Sequence, residues 1–363
     1  MRRALDLAGR GWGRTHPNPM VGAVLVAGNE VLAEGWHERA GAAHAERVTL
    51  DQWPKPVPAE ATLYVTLEPC SSTGRTPPCT DLILARGVPR LVYGAGDEDE
   101  RHRGRGIEQL RKAGVEVVGG VLADEARDLN LLFHFRAATG RPLVAAKWAA
   151  TLDGRTATRT GASRWITGEA AREDVHRWRR YFPAIGVGAG TVIEDDPQLT
   201  ARLADEPVHC PLRLVFDPSG RLAAHPERKV FTDSFADRTI LVSRAEAGES
   251  LASSLPGIRR AILPPAGPDR EWLAALLTAH GAPGLYLEGG ARLHGDFLRR
   301  GLVDYLFAYR APLLFLDREA PGPACGLAPQ TPAEGLRLRE VHHALLGDDQ
   351  LLRGFLEAPT ESP

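Results

Sequence analysis

Four residues early in the chain have the types and spacing needed for metal-assisted hydrolysis. The stretch HAERVTLDQW, residues 44–53, puts His44 two positions before Glu46 at the head of an amphipathic run, and Pro69-Cys70 and Pro78-Cys79 follow it. Zinc is a borderline-soft ion that takes imidazole nitrogen and thiolate in tetrahedral geometry, and a catalytic site keeps one position open. His44, Cys70 and Cys79 supply one imidazole and two thiolates. Glu46 would stand beside the open position without ligating, take a proton from water activated by the metal and pass it to a leaving amine.

The surrounding pattern supplies elements to position these groups. VGAVLVAGNEVLAEGWHE reads as a hairpin of two β-rich runs around a Gly-Asn turn, and a helix-like run carrying His44 follows. ATLYVTLEPC reads as a buried strand that delivers Cys70 at its end, and PCTDLILARG as a helix opened by proline, with Cys79 on its first turn and Gly87 closing it. RLVYGAG, GIEQLRKAG, VEVVGGVL and one helix over ADEARDLNLLFHFRAATG continue the alternation, which predicts helices packed over a sheet.

A Gly-Arg-Pro break at 140–142 separates this block from a second α/β series through LVAAKWAATLDG, AIGVGAG, PLRLVFD, RTILVSR and LYLEGG. We therefore expect domains at 1–140 and 141–363, with 245–284 mostly connection and surface helix. At 363 residues and 43% hydrophobic content the chain can bury two cores.

A net charge of −2 gives no long-range field to gather nucleic acid or anionic membrane. No export signal is evident. Apolar runs such as YLFAYRAPLLFL are broken by Arg310 and Pro312 well short of the roughly 18 residues a membrane helix requires. The expectation is a soluble, cytoplasmic protein with no nucleic-acid or membrane partner. Four cysteines do not make a secreted disulfide framework; Cys210 and Cys325 lack ligand partners and read as structural.

The cytidine-deaminase pattern is H-x-E followed by P-C-x-x-C. His44-Ala45-Glu46 and Pro69-Cys70 fit it, while the second cysteine arrives after eight intervening residues, SSTGRTPP, that read as a loop. Together THPNPMVGAVLV, GWHERAGAAHAE and YVTLEPCSSTGRTPPC closely resemble the deaminase half of the bifunctional riboflavin-biosynthesis deaminase/reductase family, whose own form has the longer cysteine spacing. The resemblance implies a cytidine-deaminase-like three-layer domain with one Zn2+ on His44, Cys70 and Cys79 and Glu46 as proton shuttle. It implies hydrolytic removal of the 2-amino group of a diamino-pyrimidinone ribosylamine 5′-phosphate, with Asn18 and His37 holding the ring or ribose. One departure is GDEDERHRGRG at 96–106, where the family carries an Asp-Pro-Asn-Pro segment. Its basic run, Arg101, His102, Arg103 and Arg105, reads as a solvated charged loop.

In the second block GVGAGTV, residues 186–192, has glycines at the wrong interval for a Rossmann fingerprint. EGGARLHGDFL instead places two glycines between a strand and a helix, where free N–H groups suit a phosphate. KWAATLDGRTATRTGASRWITG and GAGTVIEDDPQLTAR resemble the reductase half of the same family, similar in fold to dihydrofolate reductase and using NADPH. By that resemblance Ala149, Trp165, Thr191, Asp195 and the loop Gly290, Ala291, Arg292, Leu293, His294, Gly295 and Asp296 contact the cofactor, while Ser163, Arg179, Leu199, Arg202 and Glu288 contact substrate. Lys147, one of only four lysines, and Asp153 flank a strand end where polar groups would polarise an opened sugar; Asp153 also reads as a turn residue and Trp165 as a core aromatic.

The leading expectation is therefore zinc-dependent hydrolysis followed by NADPH-dependent reduction of one small-molecule substrate. A nucleic-acid base deaminase would need a basic, aromatic-lined channel that the sequence does not show. A non-catalytic zinc module would need no Glu46 and would recruit a fourth protein ligand. Oligomeric state, a homo-oligomer included, is left open by the sequence.

Overall fold

A computed structural model describes every residue except 73–76, 99–102, 205, 248–249, 251–252 and 358–363. The chain divides into two units, Met1–Arg141 and Pro142–Pro363. The first runs α1 (Arg2–Gly9), β1 (Gly22–Ala27), β2 (Glu30–Trp36), α2 (Ala45–Gln52), β3 (Ala61–Leu67), α3 (Cys79–Ala85), β4 (Arg90–Ala95), α4 (Arg105–Lys112), β5 (Glu116–Val118), α5 (Ala123–Leu129) and α6 (Leu131–Thr139). Its strands form one sheet in the order β2-β1-β3-β4-β5. The hairpin closes through Gly28, whose φ of 56° suits glycine, and Asn29.

Alternation along β1 assigns its two faces. Ala23 and Leu25, with Leu63 and Val65 of β3, pack toward Leu50 of α2, Ile83 of α3 and Leu110 of α4, while Val24 meets Ala4 and Leu7 of α1. This is the expected three-layer arrangement. Helix α2 lies so close to β2 that a Cβ on Gly35 would come within 2.7 Å of Val48.

The segment read as one helix over 123–139 is two helices. Asn130 leaves helical geometry at φ −111°, ψ 37° and turns its carboxamide onto the Met20 backbone. Asparagine competes for backbone groups in this way, and only a distant partner makes the break worthwhile.

The second unit contains β6 (Leu143–Thr151), α7 (Glu169–Tyr181), β7 (Ala184–Gly188), α8 (Ala189–Asp195), β8 (Leu212–Phe216), α9 (Lys229–Thr232), β9 (Thr239–Ser243), β10 (Arg259–Ile262), α10 (Arg270–Ala279), β11 (Gly284–Leu287), α11 (Ala291–Arg299), β12 (Tyr305–Ala311), β13 (Arg337–Leu346) and β14 (Asp349–Glu357). Its sheet runs β10-β9-β8-β7-β11-β6-β12-β14-β13, parallel except where β14 pairs with β12 and β13. Strands β7 and β8 bury both faces, Leu214 and Phe216 on one side and Ile185, Val187 and Val215 on the other. Apolar runs of this kind are characteristic of parallel strands covered on both sides.

The 245–284 stretch differs from the reading as connection and surface helix. It holds the edge strand β10 and α10, whose Leu273 and Leu277 are buried in the main core. Because β10 is an edge strand exposed over most of its length, RRAI shows no apolar run.

The β13–β14 hairpin carries a residue that starts α7. Asp349, 3% exposed, accepts a hydrogen bond from the Gly168 backbone N–H at 2.7 Å, where the helix dipole favours a negative charge. Asp349→Ala should lower stability by about 1 kcal/mol, the usual worth of a helix cap, in denaturant unfolding of the full chain. Asp349→Asn keeps an acceptor and should lose less. Equal losses in both variants would show that the carboxylate charge, not the cap geometry, is what matters.

Candidate functional sites

His44 occupies the residue just before α2, extended at φ −69°, ψ 155°, and makes no capping hydrogen bond with its side chain. Its imidazole turns instead to the sulfurs, with Nδ1 3.6 Å from Cys70 Sγ and 3.3 Å from Cys79 Sγ. Cys70 follows β3, and Cys79 is the first residue of α3. The Cys79 backbone N–H points at Cys70 Sγ at 3.4 Å, and Thr80 N–H donates to the Cys70 carbonyl at 3.2 Å. The start of α3 thus favours a thiolate at Cys70.

The three donor atoms lie within 4.8 Å of one another, and no fourth histidine, cysteine or carboxylate joins them among the described residues. Tetrahedral zinc with bonds of about 2.1 Å to nitrogen and 2.3 Å to sulfur needs N–S separations of about 3.6 Å. The site matches that requirement and leaves one coordination position. Hydrogen bonds from Cys79 and His44 push the Cys70 thiol down, whereas its shared hydrogen bond with Cys70 and its own burial push Cys79 up. Both sulfurs can be ionised together only beside a cation, as the zinc reading requires.

Glu46 sits in the first turn of α2, 4% exposed. Burial, and then the negative charge at Cys70, raise its carboxyl to about 6. Helix α2 is pinned by Thr49 Oγ1 donating to the Ala23 carbonyl at 3.1 Å and by Arg86, whose guanidinium caps the Leu50 and Trp53 carbonyls.

The structure also brings Asn18 and His37 here. The rings of His37 and His44 are 5.8 Å apart, and His37 Nε2 lies 3.3 Å from Asn18 Nδ2. His37 Nδ1 is 3.0 Å from the Ala43 carbonyl. Burial lowers the His37 pKa, so the neutral ring donates from Nδ1 to Ala43 and accepts at Nε2 from the Asn18 amide. Sequence reasoning missed Asn130, Thr66 and Glu68. The buried Glu68 carboxylate accepts the Asp97 N–H at 3.3 Å at the head of the divergent 97–106 segment. Within that segment Arg103 is paired with Glu98, in keeping with a charged loop. Arg101, His102 and the centre of the Cys70–Cys79 loop lie outside the described residues.

In the second unit three charges meet: Lys147, which lies in the middle of β6 rather than at its end, Glu288 just after β11, and Arg179 in the last turn of α7. Arg179 Nη2 donates to Glu288 Oε2 at 3.0 Å and Lys147 Nζ lies 3.5 Å from the same oxygen. Burial alone would raise Glu288, but the Arg179 and Lys147 charges override it and hold the carboxyl at about 2. Arg179 also donates to the Thr200 carbonyl at 3.2 Å, and Arg202 donates to Thr200 Oγ1 at 2.8 Å and from its backbone to His176 Nδ1 at 3.3 Å. Leu199, buried with a φ of 57°, bends the chain between them. Tyr309, whose hydroxyl donates to Asp174 at 2.7 Å, stands 5.7 Å beneath Lys147 Nζ. Tyr309, Asp174, His176 and Thr200 were not singled out from sequence, because ordinary core and helix positions hide them.

The cofactor candidates divide. Thr191 lies beside Gly290 at the starts of α8 and α11, where a Cβ on Gly290 would be 3.8 Å from Thr191 Oγ1. Gly290 and Arg292 are exposed and Ala291 and Ala149 half-buried. Leu293 packs on Gly289. His294, 1% exposed, is engaged by the protein, its ring nitrogens against the Pro323 carbonyl and the Gly289 N–H. Gly295 lies against Cys325, where a Cβ would stand 1.8 Å from the carbonyl oxygen, and Asp296 pairs with Arg299 and Arg300.

Trp165 is not a core aromatic: it is 69% exposed and rests on Arg172 at 4.7 Å. Asp195 is exposed, its carbonyl taking Arg164, and Ser163 is half-buried. Asp153 behaves as a turn residue. Its carboxylate accepts Thr151 Oγ1 at 2.6 Å and the Phe315 and Leu316 N–H groups, which hold it at about 2. Of the remaining cysteines Cys210 is buried, whereas Cys325 is exposed and lies against the Ala291 carbonyl.

Residues 1–95 match the cytidine and deoxycytidylate deaminase zinc-binding region, and residues 142–352 the RibD C-terminal domain. The chain is 38% identical to the riboflavin biosynthesis protein RibD of Actinobacillus pleuropneumoniae over 99% of its own length and 95% of the relative's. It is similar to the structure of Acinetobacter baumannii RibD, with a TM-score of 0.78 and 34% identity over 98% of this chain and 97% of that one. A Thermotoga maritima structure, described as a diaminohydroxyphosphoribosylaminopyrimidine deaminase/5-amino-6-(5-phosphoribosylamino)uracil reductase, gives a TM-score of 0.80 at 32% identity over the same shares. No described helix is long and apolar enough to cross a membrane. With a zinc-binding deaminase domain ahead of an NADPH-dependent reductase domain, the chain belongs to the RibD family, the bifunctional deaminase/reductases of riboflavin biosynthesis.

Proposed function

We propose that the first unit hydrolytically removes the 2-amino group of 2,5-diamino-6-ribosylamino-4(3H)-pyrimidinone 5′-phosphate, and that the second reduces the ribosyl chain of the resulting aminouracil to ribityl. The observation that carries the first step is the meeting of His44, Cys70 and Cys79 within 4.8 Å, with the buried Glu46 two residues past the histidine. The two activities named for the T. maritima protein support the same substrate and order.

Zinc on these three donors supplies Lewis acidity that makes water a nucleophile near neutral pH. The chain does the rest. The Glu46 carboxyl, raised toward neutrality, accepts the proton that the attacking water gives up and returns it to the amine, which leaves as ammonia while a carbonyl forms at C2. Asn18, its amide steadied by His37, presents its carbonyl oxygen to an N–H on the heterocycle edge.

In the second unit NADPH supplies a hydride for C1′ of the open imine, whose nitrogen takes a proton. Arg202 offers its guanidinium to the ribose 5′-phosphate, while Arg179, whose fork is held by Glu288 and the Thr200 carbonyl, adds positive charge beside it, with Ser163, Leu199 and Glu288 framing the substrate. The N–H groups of Gly290, Ala291, Arg292 and Leu293 at the start of α11 suit the cofactor phosphates, with Ala149, Trp165, Thr191 and Asp195 around them. His294, Gly295 and Asp296 support that turn from the protein side. We place this chemistry in the cytoplasm, where reduced thiols keep the metal site intact.

Metal removal tests the division of labour. Chelation should end deamination while leaving reduction of preformed aminouracil substrate intact, and added zinc should restore the first step. Undiminished deamination by protein shown to be metal-free would overturn the zinc assignment.

A further inference from the structure

Strand β1 is preceded by a segment whose hydrogen bonds cannot come from the sheet. At Val21 the carbonyl is taken by His37 N–H at 2.8 Å, which continues the pairing with β2. The backbone groups of Met20 face the opposite way, toward β3, because successive residues of an extended chain alternate. There the pairing of β1 with β3 has already ended at Ala23 and Val65: Gly22 N–H goes to Thr66 Oγ1 at 3.2 Å, and Glu68 N–H faces β4, donating to the Ala95 carbonyl. Met20 would be left with a buried donor and acceptor, and such groups are costly when unpaired.

The Asn130 carboxamide fills the place of the missing strand. Its Oδ1 accepts Met20 N–H at 2.7 Å and its Nδ2 donates to the Met20 carbonyl at 2.8 Å, across 110 residues of sequence. Asn130 is 3% exposed and sits at the break between α5 and α6, so the helix is interrupted where the clamp is made. Two residues upstream of Met20 lies Asn18, whose amide is 3.3 Å from His37. The far side of this loop is tied by Ala40 N–H to the Arg14 carbonyl at 3.2 Å and by Asn18 N–H to the Thr15 carbonyl at 2.8 Å.

We infer that Asn130 is a positioning residue for deamination: by holding both backbone groups of Met20 it fixes the Thr15–Met20 loop and so sets where the Asn18 side chain meets the pyrimidine. Its carboxamide is spent on Met20, so its effect on the substrate passes through Asn18. The inference rests on the reading of Asn18 as a substrate contact. An isosteric change separates positioning from folding, because Asn130→Asp keeps an acceptor for Met20 N–H but faces the Met20 carbonyl with a second acceptor.

The test measures deaminase kcat and KM for the diamino-pyrimidinone substrate in full-length zinc-loaded Asn130→Asp, Asn130→Ala and Asn18→Ala. Zinc content and reductase kinetics are read on the same preparations as controls. Loss of a paired buried hydrogen bond predicts a KM raised about tenfold in Asn130→Asp, with kcat, zinc content and reduction close to those of the parent. Asn130→Ala, which removes both bonds, should raise KM at least as far. If Asn18→Ala raises KM and both Asn130 variants leave it unchanged, the positioning role is overturned. A fall in kcat together with zinc loss in both Asn130 variants overturns it as well, since that is the mark of a purely structural residue. Should Asn18→Ala itself leave KM unaltered, the reading of Asn18 fails instead.

Discussion

Glu46→Gln should keep its zinc and lose deamination by about 10²–10⁴-fold, the usual contribution of a positioned general acid–base. The amide preserves the size and the buried setting of the carboxyl, 4% exposed in the first turn of α2, but can neither accept the proton from water nor deliver it to ammonia. His44, Cys70 and Cys79 remain untouched, so metal analysis should give the parent stoichiometry. The second unit supplies an internal control, because reduction of preformed aminouracil substrate by the same preparation should be unchanged. Near-parent deamination in this variant would remove Glu46 from the proton path.

Glu288→Gln should be the most damaging single change in the second unit. The carboxylate is held between Arg179 and Lys147, with side-chain exposures of 9%, 16% and 15%. Removing one partner of a buried ion cluster strands the others, which costs about 3–5 kcal/mol, or roughly a 10 °C fall in Tm for a unit of this size. Reduction should be lost with it.

The same group predicts an acid limb. Its folded pKa is depressed to about 2 from an ordinary 4.5, so the stability it contributes is present above 4.5 and is lost as pH falls toward 2. That contribution is on the order of 3 kcal/mol. The parent should therefore weaken across that window, and Glu288→Gln should show a flatter profile. Parallel acid limbs in the two proteins would mean that Glu288 is not the responsible carboxylate.

The zinc ligands were legible because their types are scarce and their neighbours announce where they sit: Pro78 before a helix start, an apolar strand before Cys70. Packing of α2 and α3 on one face of the sheet then brings them together. Asn130 was not legible, since its partner lies 110 residues away and an asparagine within a helical pattern gives no sign of a break. The family resemblance gives His294 to the cofactor loop, whereas only the tertiary structure shows that its ring faces the Pro323 carbonyl and the Gly289 N–H. Tyr309 and Asp174 meet across 135 residues. Asp349 lies 181 residues beyond Gly168, and only the tertiary structure shows that the terminal hairpin starts α7.

The most direct measurement is mass spectrometry of 2,5-diamino-6-ribosylamino-4(3H)-pyrimidinone 5′-phosphate incubated with zinc-loaded full-length protein, first without NADPH and then with it. Two-step action predicts that the deaminated ribosylamino product accumulates alone without NADPH and is converted to the ribitylamino product once NADPH is added. Substrate unchanged under both conditions, or reduction of the diamino compound ahead of deamination, would contradict it.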